Sequence, residues 1–455
     1  MRKSVAALGL VLSLPFWLPK VVIRLRVWIF ARVNGDNAIE IPGPLVPVEH
    51  FKEVYSHPAA DGRSKGAGLS DLFWYWLAPG PQVHQEHLEP GERYDEVAAL
   101  TRRILAVPTG RVENLTTRCV NRILDELPAD EVTTVRLRDV MMPVWAEFYY
   151  ELVFGEPCPT DARRLIVDNA DDVVTALKCC GIRHMDRRDR LTKYLLDRVK
   201  NGDVKHDLPP SLSIEEQAYY LQGAFFNTAV VQMSEAMTHL FLVLAQHRDV
   251  QQRAVSNLDD DRYLDRVVDE TLRQFPLFGI AHRITSGDID VDGTTTIAKG
   301  SVLCFNYPEF QATGFDHPDE FDPERWAALS AKDVNYIPFG IAANRPCPAW
   351  RLAPITMRVA ARETLRRYAM YSSVSHTRSI PHRGPCLLVR RSSQRSVHLR
   401  LSAMRGRDRI EDVGRSVLQL VLGTYMVADA RRLRLTERYF DTHDLQGCPV
   451  GHGAR

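Results

Sequence analysis

The sequence predicts one large, mainly α-helical domain that carries small β-sheets. Three observations predict it. A proline-free, largely apolar run extends from Ile214 to His247. As a helix it would be roughly 50 Å long, enough to cross the middle of a large domain. Apolar residues at helical spacing dominate from Glu96 onward. Between Ile289 and Phe305 the period changes: Ile289 to Gly293, Thr294 to Ala298 and Val302 to Phe305 read as short strands around the tight-turn signal Asp292-Gly293. A length of 455 residues suits one large catalytic domain or two ordinary ones.

Composition narrows the function. With 45% apolar residues, 25% charged residues and a net charge of +1, the chain has an ordinary globular balance. It has no basic excess of the kind a nucleic-acid partner requires. Eight cysteines, at 119, 158, 179, 180, 304, 347, 386 and 448, are scattered without a CxxC pair. They read as reduced thiols of a cytosolic compartment. His84 and His87 stand close together with no cysteine pair nearby, so they read as loop histidines and not as a zinc site.

Taken in order, the elements begin with an uncharged, mostly apolar stretch from Ser4 to Pro19, flanked by Arg2 and Lys3 before it and Lys20, Arg24, Arg26 and Arg32 after it. It reads as an uncleaved single-pass membrane anchor with the main domain on the cytoplasmic side. A buried core helix in a cytoplasmic protein is the alternative. Val21 to Val33, apolar with interspersed arginines, suits an interfacial helix. Ile41-Pro-Gly-Pro44 then breaks the chain. This divides it into an anchor at 1–34, a catalytic domain at 35–400 and an extension at 401–455. Arg111 to Leu127 and Val140 to Leu152 follow as helices, with Pro143 expected in a first turn. Ser213 and Glu216 form a capping-box signature ahead of the long run. Arg262 to Arg273 is a helix stopped before Pro276, Phe315 to Arg325 is irregular, and Pro354 to Tyr371 returns to helix. In the extension, Asp412 to Leu435 reads as an amphipathic helix with a basic end.

Chemistry concentrates in Phe339-Gly-Ile-Ala-Ala-Asn-Arg-Pro-Cys347-Pro-Ala-Trp-Arg-Leu-Ala353. A cysteine that ends a small-residue loop before a helix is placed to be a thiolate, through the helix dipole, backbone amides and the nearby Arg345. Glu270 and Arg273 sit at i, i+3 on one helix face. Arg325, in Phe321-Asp-Pro-Glu-Arg-Trp326, would join them in a buried network.

In this order and at these separations, the three segments resemble the cytochrome P450 family. Glu270 to Arg273 is similar to its ExxR pair, Phe321 to Trp326 to its PERF-type segment, and Phe339 to Ala353 to its cysteine loop. The likeness spans roughly residues 40 to 400. It implies a P450-type domain around a buried haem b (iron protoporphyrin IX), with Cys347 as the axial iron ligand. It implies Arg103, His282, Arg283 and Arg345 as partners of the propionates, and Leu277 to Ala281 as pocket lining. The implied activity is monooxygenation of a small apolar substrate. Electrons would come from a separate reductase or ferredoxin, since no flavin or iron–sulfur motif is present. Arg351 and Arg358 would be the docking cations.

The sequence departs from the family pattern in the cysteine loop, in the long helix and before Arg103, where Ala99 stands at the position of an expected tryptophan. Alanines 343 and 349 stand where the cysteine loop has glycines, and a methyl there narrows the approach of backbone to haem. In the long helix, where the family places a proton-relaying acid and threonine, an ungapped register puts Val231 and Gln232, preceded by Thr228 and Ala229. Gln232 and Thr228 are therefore the candidate catalytic side chains, with Ser234 or Glu235 available if the helix is shifted or bulged. Gln232 orients a water but does not titrate. This leaves open an enzyme that does not activate dioxygen (a peroxide-using oxygenase, an isomerase or a dehydratase) or an inactive haem-binding scaffold.

Overall fold

The computed structural model describes residues 2–32, 38–374, 381–393 and 395–447. Cys448 lies outside them, as do residues 33–37, where the expected anchor boundary falls. The helices are α1 (Arg2–Arg32), α2 (Phe51–Ser56), α3 (Gly68–Leu77), α4 (Glu92–Leu105), α5 (Thr109–Asp125), α6 (Leu137–Phe154), α7 (Thr160–Leu177), α8 (Met185–Lys200), α9 (Ile214–Leu221), α10 (Val230–Gln246), α11 (Arg248–Ser256), α12 (Asp261–Gln274), α13 (Tyr307–Ala312), α14 (Leu352–Arg367), α15 (His398–Leu433) and α16 (Leu435–Gly447). The strands are β1 (Ala38–Ile41), β2 (Val132–Arg136), β3 (Ile280–Ile284), β4 (Ile289–Asp290), β5 (Thr296–Ile297), β6 (Val302–Asn306), β7 (Tyr368–Tyr371) and β8 (Pro385–Arg390). They form three small sheets in the orders β1-β6-β3, β2-β8-β7 and β4-β5.

The long apolar run is one continuous helical rod, Ile214–Gln246. Its start is fixed by a complete capping box: Ser213 accepts the Glu216 amide, and Glu216 accepts the Ser213 amide. Between α9 and α10, residues Gln222–Ala229 widen into a π-helix. Such wide turns are uncommon and concentrate at functional sites. The rod passes through the principal core, where Phe226, Val230, Met237, Leu240 and Leu244 are all fully buried. It is long and apolar enough to cross a membrane, but 78% of its apolar window is inside the protein, which makes it a core helix.

Three expectations change. Pro143 lies well inside α6 and not in its first turn. The lost hydrogen bond costs ~3 kcal/mol, yet α6 is buried along nearly its whole length against α5, α7 and α10, and that packing holds the helix together. The expected anchor and interfacial segments are joined in α1, which runs past Pro15 and Pro19 and packs on α15 around the buried Val22. The C-terminal helix begins at His398 and not near Asp412. It and α16 lie along α3: Met426 and Ala430 bury against Leu72 and Tyr75, and Tyr439 packs on Trp74 at 5.2 Å.

Candidate active site

Glu270 on α12 is fully buried, and its carboxylate gathers its neighbours. Arg273 donates to both oxygens at 2.8 Å, Arg325 Nε donates at 3.0 Å, Trp326 Nε1 at 2.9 Å and the Asp322 amide at 2.9 Å. The two arginines spend their remaining protons on the carbonyls of Asp316, Pro318 and Glu320. The three side chains expected to meet therefore do so, and the irregular segment before the cysteine loop is held by its own backbone.

That loop closes on itself through the Cys347 amide, which donates to Phe339 O at 2.9 Å. Gly340 adopts φ 75°, and a Cβ there would stand 3.0 Å from the Tyr55 hydroxyl, so glycine is needed at this position. Ala343 occupies an expected glycine position without strain: its φ is not left-handed and it faces the surface. Arg345 takes the left-handed conformation instead, at φ 51°. Ala349 lines the cavity above the loop. Burial pushes the Cys347 thiol up to about 11, and the Ala349 amide only partly opposes this. Arg345 does not supply the expected charge to the sulfur. Its guanidinium turns to Leu88 O at 2.6 Å and lies 3.6 Å from the Tyr94 ring centre. A bound metal cation would be what keeps this sulfur deprotonated.

Cys347 opens on a cavity whose other walls include Thr228, Ala229 and Gln232 from the long helix, Leu277 and Phe278 from the approach to β3, Ala281 and Arg283 from β3 itself, and Arg345 and Glu86. Thr228 Oγ1 lies 2.7 Å from His84 Nε2. Glu235 is turned away from the cavity. It binds Arg138 at 2.9 Å and Lys178 at 3.0 Å, and the Ser234 hydroxyl is tied to Val230 O. Neither residue is the alternative donor that a shifted helix would offer.

Next to the cavity is a buried cationic cluster. Arg63, Arg283 and Arg345 surround Glu86. Burial lowers Arg63 to about 9, with Arg283 adding to the effect. Burial alone would raise Glu86, but Arg283, Arg63, His84 and Arg345 hold it below its ordinary value. Glu89, at the edge, is occupied by the amides of Arg63, Ser64 and Lys65. Arg63 Nε and Nη1 and Arg283 Nε have no hydrogen-bond partner among the described residues.

A family model described as Cytochrome P450 matches residues 167–398, just over half of the chain. The chain belongs to the cytochrome P450 family. It is 26% identical to Cytochrome P450 3A6 of Oryctolagus cuniculus over 213 residues, 41% of this chain and 41% of that protein. It is 30% identical to Cytochrome P450 3A19 of Capra hircus aegagrus over 159 residues, 30% of this chain and 71% of that one. The match thus spans about two fifths of the length of the first of these relatives. Among solved structures, the retinoic acid-bound cyanobacterial CYP120A1 aligns with a TM-score of 0.61 at 16% identity, covering 77% of this chain and 88% of that one. This likeness shows the P450 fold.

The cofactor of a P450 is haem, and the residues present fit it. An uncompensated buried cation costs several kcal/mol. Here the buried Arg63 and Arg283, together with the partly buried Arg345, have Glu86 as the carboxylate they share, so further negative charge would balance them. The two propionates of haem would supply that charge, and the unpartnered Arg63 and Arg283 nitrogens would be their donors. Cys347 would be the metal ligand, and Ala224, Phe225 and Phe339 would be apolar walls of the same cavity.

Two expected partners of the propionates are not at this P450 site. Arg103 is exposed on α4, because the helix turns Thr101 and Leu105 toward the cavity and so turns residue 103 away. His282 lies on β3 between Ala281 and Arg283, which line the cavity, so strand alternation sends it to the other face. There it bonds Ser70 Oγ at 3.1 Å and Arg63 O at 3.0 Å and stacks on Phe73. Burial lowers it to about 4, which keeps it neutral. Arg358 is no free docking cation, since Glu113, Asp261 and Asp265 all bind it. Sequence reasoning missed Arg63, His84 and Glu86. All three precede the segment matched by the family model, and the pair His84 and His87, three positions apart, was the only visible signal.

Proposed function

We propose that this chain is a haem-thiolate monooxygenase that inserts one oxygen atom from dioxygen into a small apolar organic substrate. Its cofactor is haem b, and its electrons come from a separate reductase or ferredoxin. The observation that carries this reading is the joint placement of Cys347, Arg283 and Arg345 around one cavity, with Arg63 buried beside Arg283 and Glu86. When bound, the haem supplies the one-electron and dioxygen chemistry, with thiolate ligation favouring O–O cleavage. The protein's own groups do the rest. Cys347 holds the metal, and the three arginines bind the two propionates. Leu277, Phe278 and Ala281 take up apolar surface and keep water out. Thr228 and Gln232 present hydrogen-bonding groups to whatever occupies the cavity. Arg351, exposed beside Trp350 just past the cysteine, is the candidate docking cation for the electron donor.

The N-terminal helix fits the same reading as a membrane anchor. Phe16, Trp17, Val21, Ile23, Leu25 and Trp28 are exposed on α1 among interspersed basic residues, a composition suited to the headgroup region. Residues 1–34 would then anchor, 35–400 catalyse, and 401–455 extend the domain. A second reading, a peroxide-using oxygenase, is favoured by one observation: the long helix offers no carboxylate to the cavity, because Glu235 is committed elsewhere.

The test is optical. The haem-loaded protein is reduced and exposed to carbon monoxide. A strongly red-shifted Soret band is expected, and Cys347→Ser should abolish it. An unshifted band in loaded protein would sink the proposal. Turnover with a reductase system set against turnover with peroxide separates the two readings.

A further inference from the structure

His84 and Thr228 come from distant parts of the chain, and both line the cavity that contains Cys347. His84 follows the short helical turn Pro81–Val83, and Thr228 belongs to the π-helical segment Gln222–Ala229. The hydrogen bond between them, 2.7 Å long, is buried on the histidine side. Its direction follows from the other ring nitrogen. The Glu86 amide donates to His84 Nδ1 at 3.2 Å. A backbone N–H can only donate, so Nδ1 carries no proton, and in the neutral ring Nε2 does. Nε2–H therefore donates to Thr228 Oγ1. Burial lowers the His84 pKa, with Glu86 pulling the other way, so the neutral ring is the state to consider. His87 is the other titratable group against the ring, at 5.3 Å between ring centres, and it is also held neutral by burial.

This arrangement is built into the helix as well. Gly223 lies against the imidazole: a Cβ there would stand 3.3 Å from His84 Cδ2. The ring occupies the room that the missing side chain leaves. Threonines in helices commonly turn the hydroxyl back to the carbonyl four residues earlier, as Thr238 does at 2.7 Å. Thr228 makes no such bond among the described residues. One of its acceptor positions is filled by His84, and its own proton is left to point into the cavity.

Resting on the haem-thiolate reading above, we infer that Thr228 is the hydrogen-bond donor to a small ligand, dioxygen or a peroxide, held in the cavity with Cys347, and that His84 is the positioning residue that fixes its hydroxyl. The pair takes the place that an acid and a threonine on one helix would fill, and the second member comes from a different element. Gln232, one turn further along, is left as a secondary contact.

Infrared spectroscopy of the reduced carbon monoxide complex tests this without turnover. A donated hydrogen bond lowers the C–O stretching frequency. Thr228→Val should move the band to higher wavenumber, and Thr228→Ser should leave it in place. His84→Phe should move it in the same direction as Thr228→Val, and His84→Gln, whose amide can donate to Thr228, should restore it at least in part. Thr228→Ala serves as a second hydroxyl-free variant should the valine variant fail to load. An unmoved band in the hydroxyl-free variants overturns the donor role. A band moved by Thr228→Val and not by His84→Phe overturns the positioning role. Failure of the red-shifted Soret band in the wild-type protein is a separate result, and it overturns the underlying reading instead.

Discussion

Five hydrogen bonds converge on the Glu270 carboxylate, and they come from three sources: its own helix, the Arg325 side chain, and the backbone and indole around it. Removing the acid leaves Arg273 and Arg325 as buried cations with only carbonyls for company. Glu270→Ala is therefore expected to cost about 3–5 kcal/mol of unfolding free energy, read as a lower urea midpoint. Arg273→Lys should also destabilise the fold, because an ammonium cannot span both carboxylate oxygens as the planar fork does. The pairing of Glu270, Arg273 and Arg325 was legible in the sequence, since two members share one helix face and the third sits in a recognisable segment. The rest of the charge chemistry was not. Arg63 and Glu86 lie far from the cysteine loop in sequence, and nothing in their local pattern marks them. Only the fold brings them to Arg283.

At the scale of elements, the long helix shows what periodicity can and cannot tell. Its start and length follow from the capping box and the absence of proline, and the structure runs over nearly the same residues, Ile214–Gln246. The π-helical segment inside it leaves no trace in the apolar pattern, because its Phe225 and Phe226 are buried like the α-helical residues on either side, Leu221 and Val230. Strand and helix phase would have excluded His282 and Arg103, had their neighbours been known to face the cavity. Two substitutions separate helix stability from site geometry. Ser213→Ala removes half of the capping box, far from the cavity, and should cost about 1 kcal/mol while leaving the carbon monoxide infrared band unchanged. Gly223→Val should do the reverse. Its side chain would press on the His84 ring, so the band should shift as it does in His84→Phe, with the Soret band retained. An unshifted band in Gly223→Val would mean that the imidazole is not held by that contact.

At the scale of the whole molecule, the described termini are not loose ends. Helix α15 covers α1 and α3, and α16 closes on Asp71 through the Thr436 amide and hydroxyl. This closure was invisible in the sequence, where the C-terminal stretch has no pattern tying it to Trp74. One carboxylate ties the interior together in a comparable way. Glu235 on α10 binds Arg138 on α6 and Lys178 at the end of α7, so a single buried charge joins three core helices. Burial alone would raise its pKa, but Lys178 and Arg138 overcome this and lower it from 4.5 to about 2. The sign of the linkage follows. A carboxylate held below its unfolded value contributes stability that is fully present above pH 4.5 and is lost as pH falls toward 2. A shift of this size corresponds to stability on the order of 3 kcal/mol. Asp269 acts in the opposite direction: burial raises it from 3.8 to about 6, so its contribution to stability grows as pH falls through that interval. The two effects separate in a variant. Glu235→Gln leaves Arg138 and Lys178 without their counter-charge, so it should unfold at lower urea than the wild-type protein near neutrality. Its midpoint should then fall less steeply than that of the wild type below pH 4.5, because the group that loses its charge there is gone. Parallel pH profiles for the two proteins would show that this buried charge does not set the acid limit of the fold.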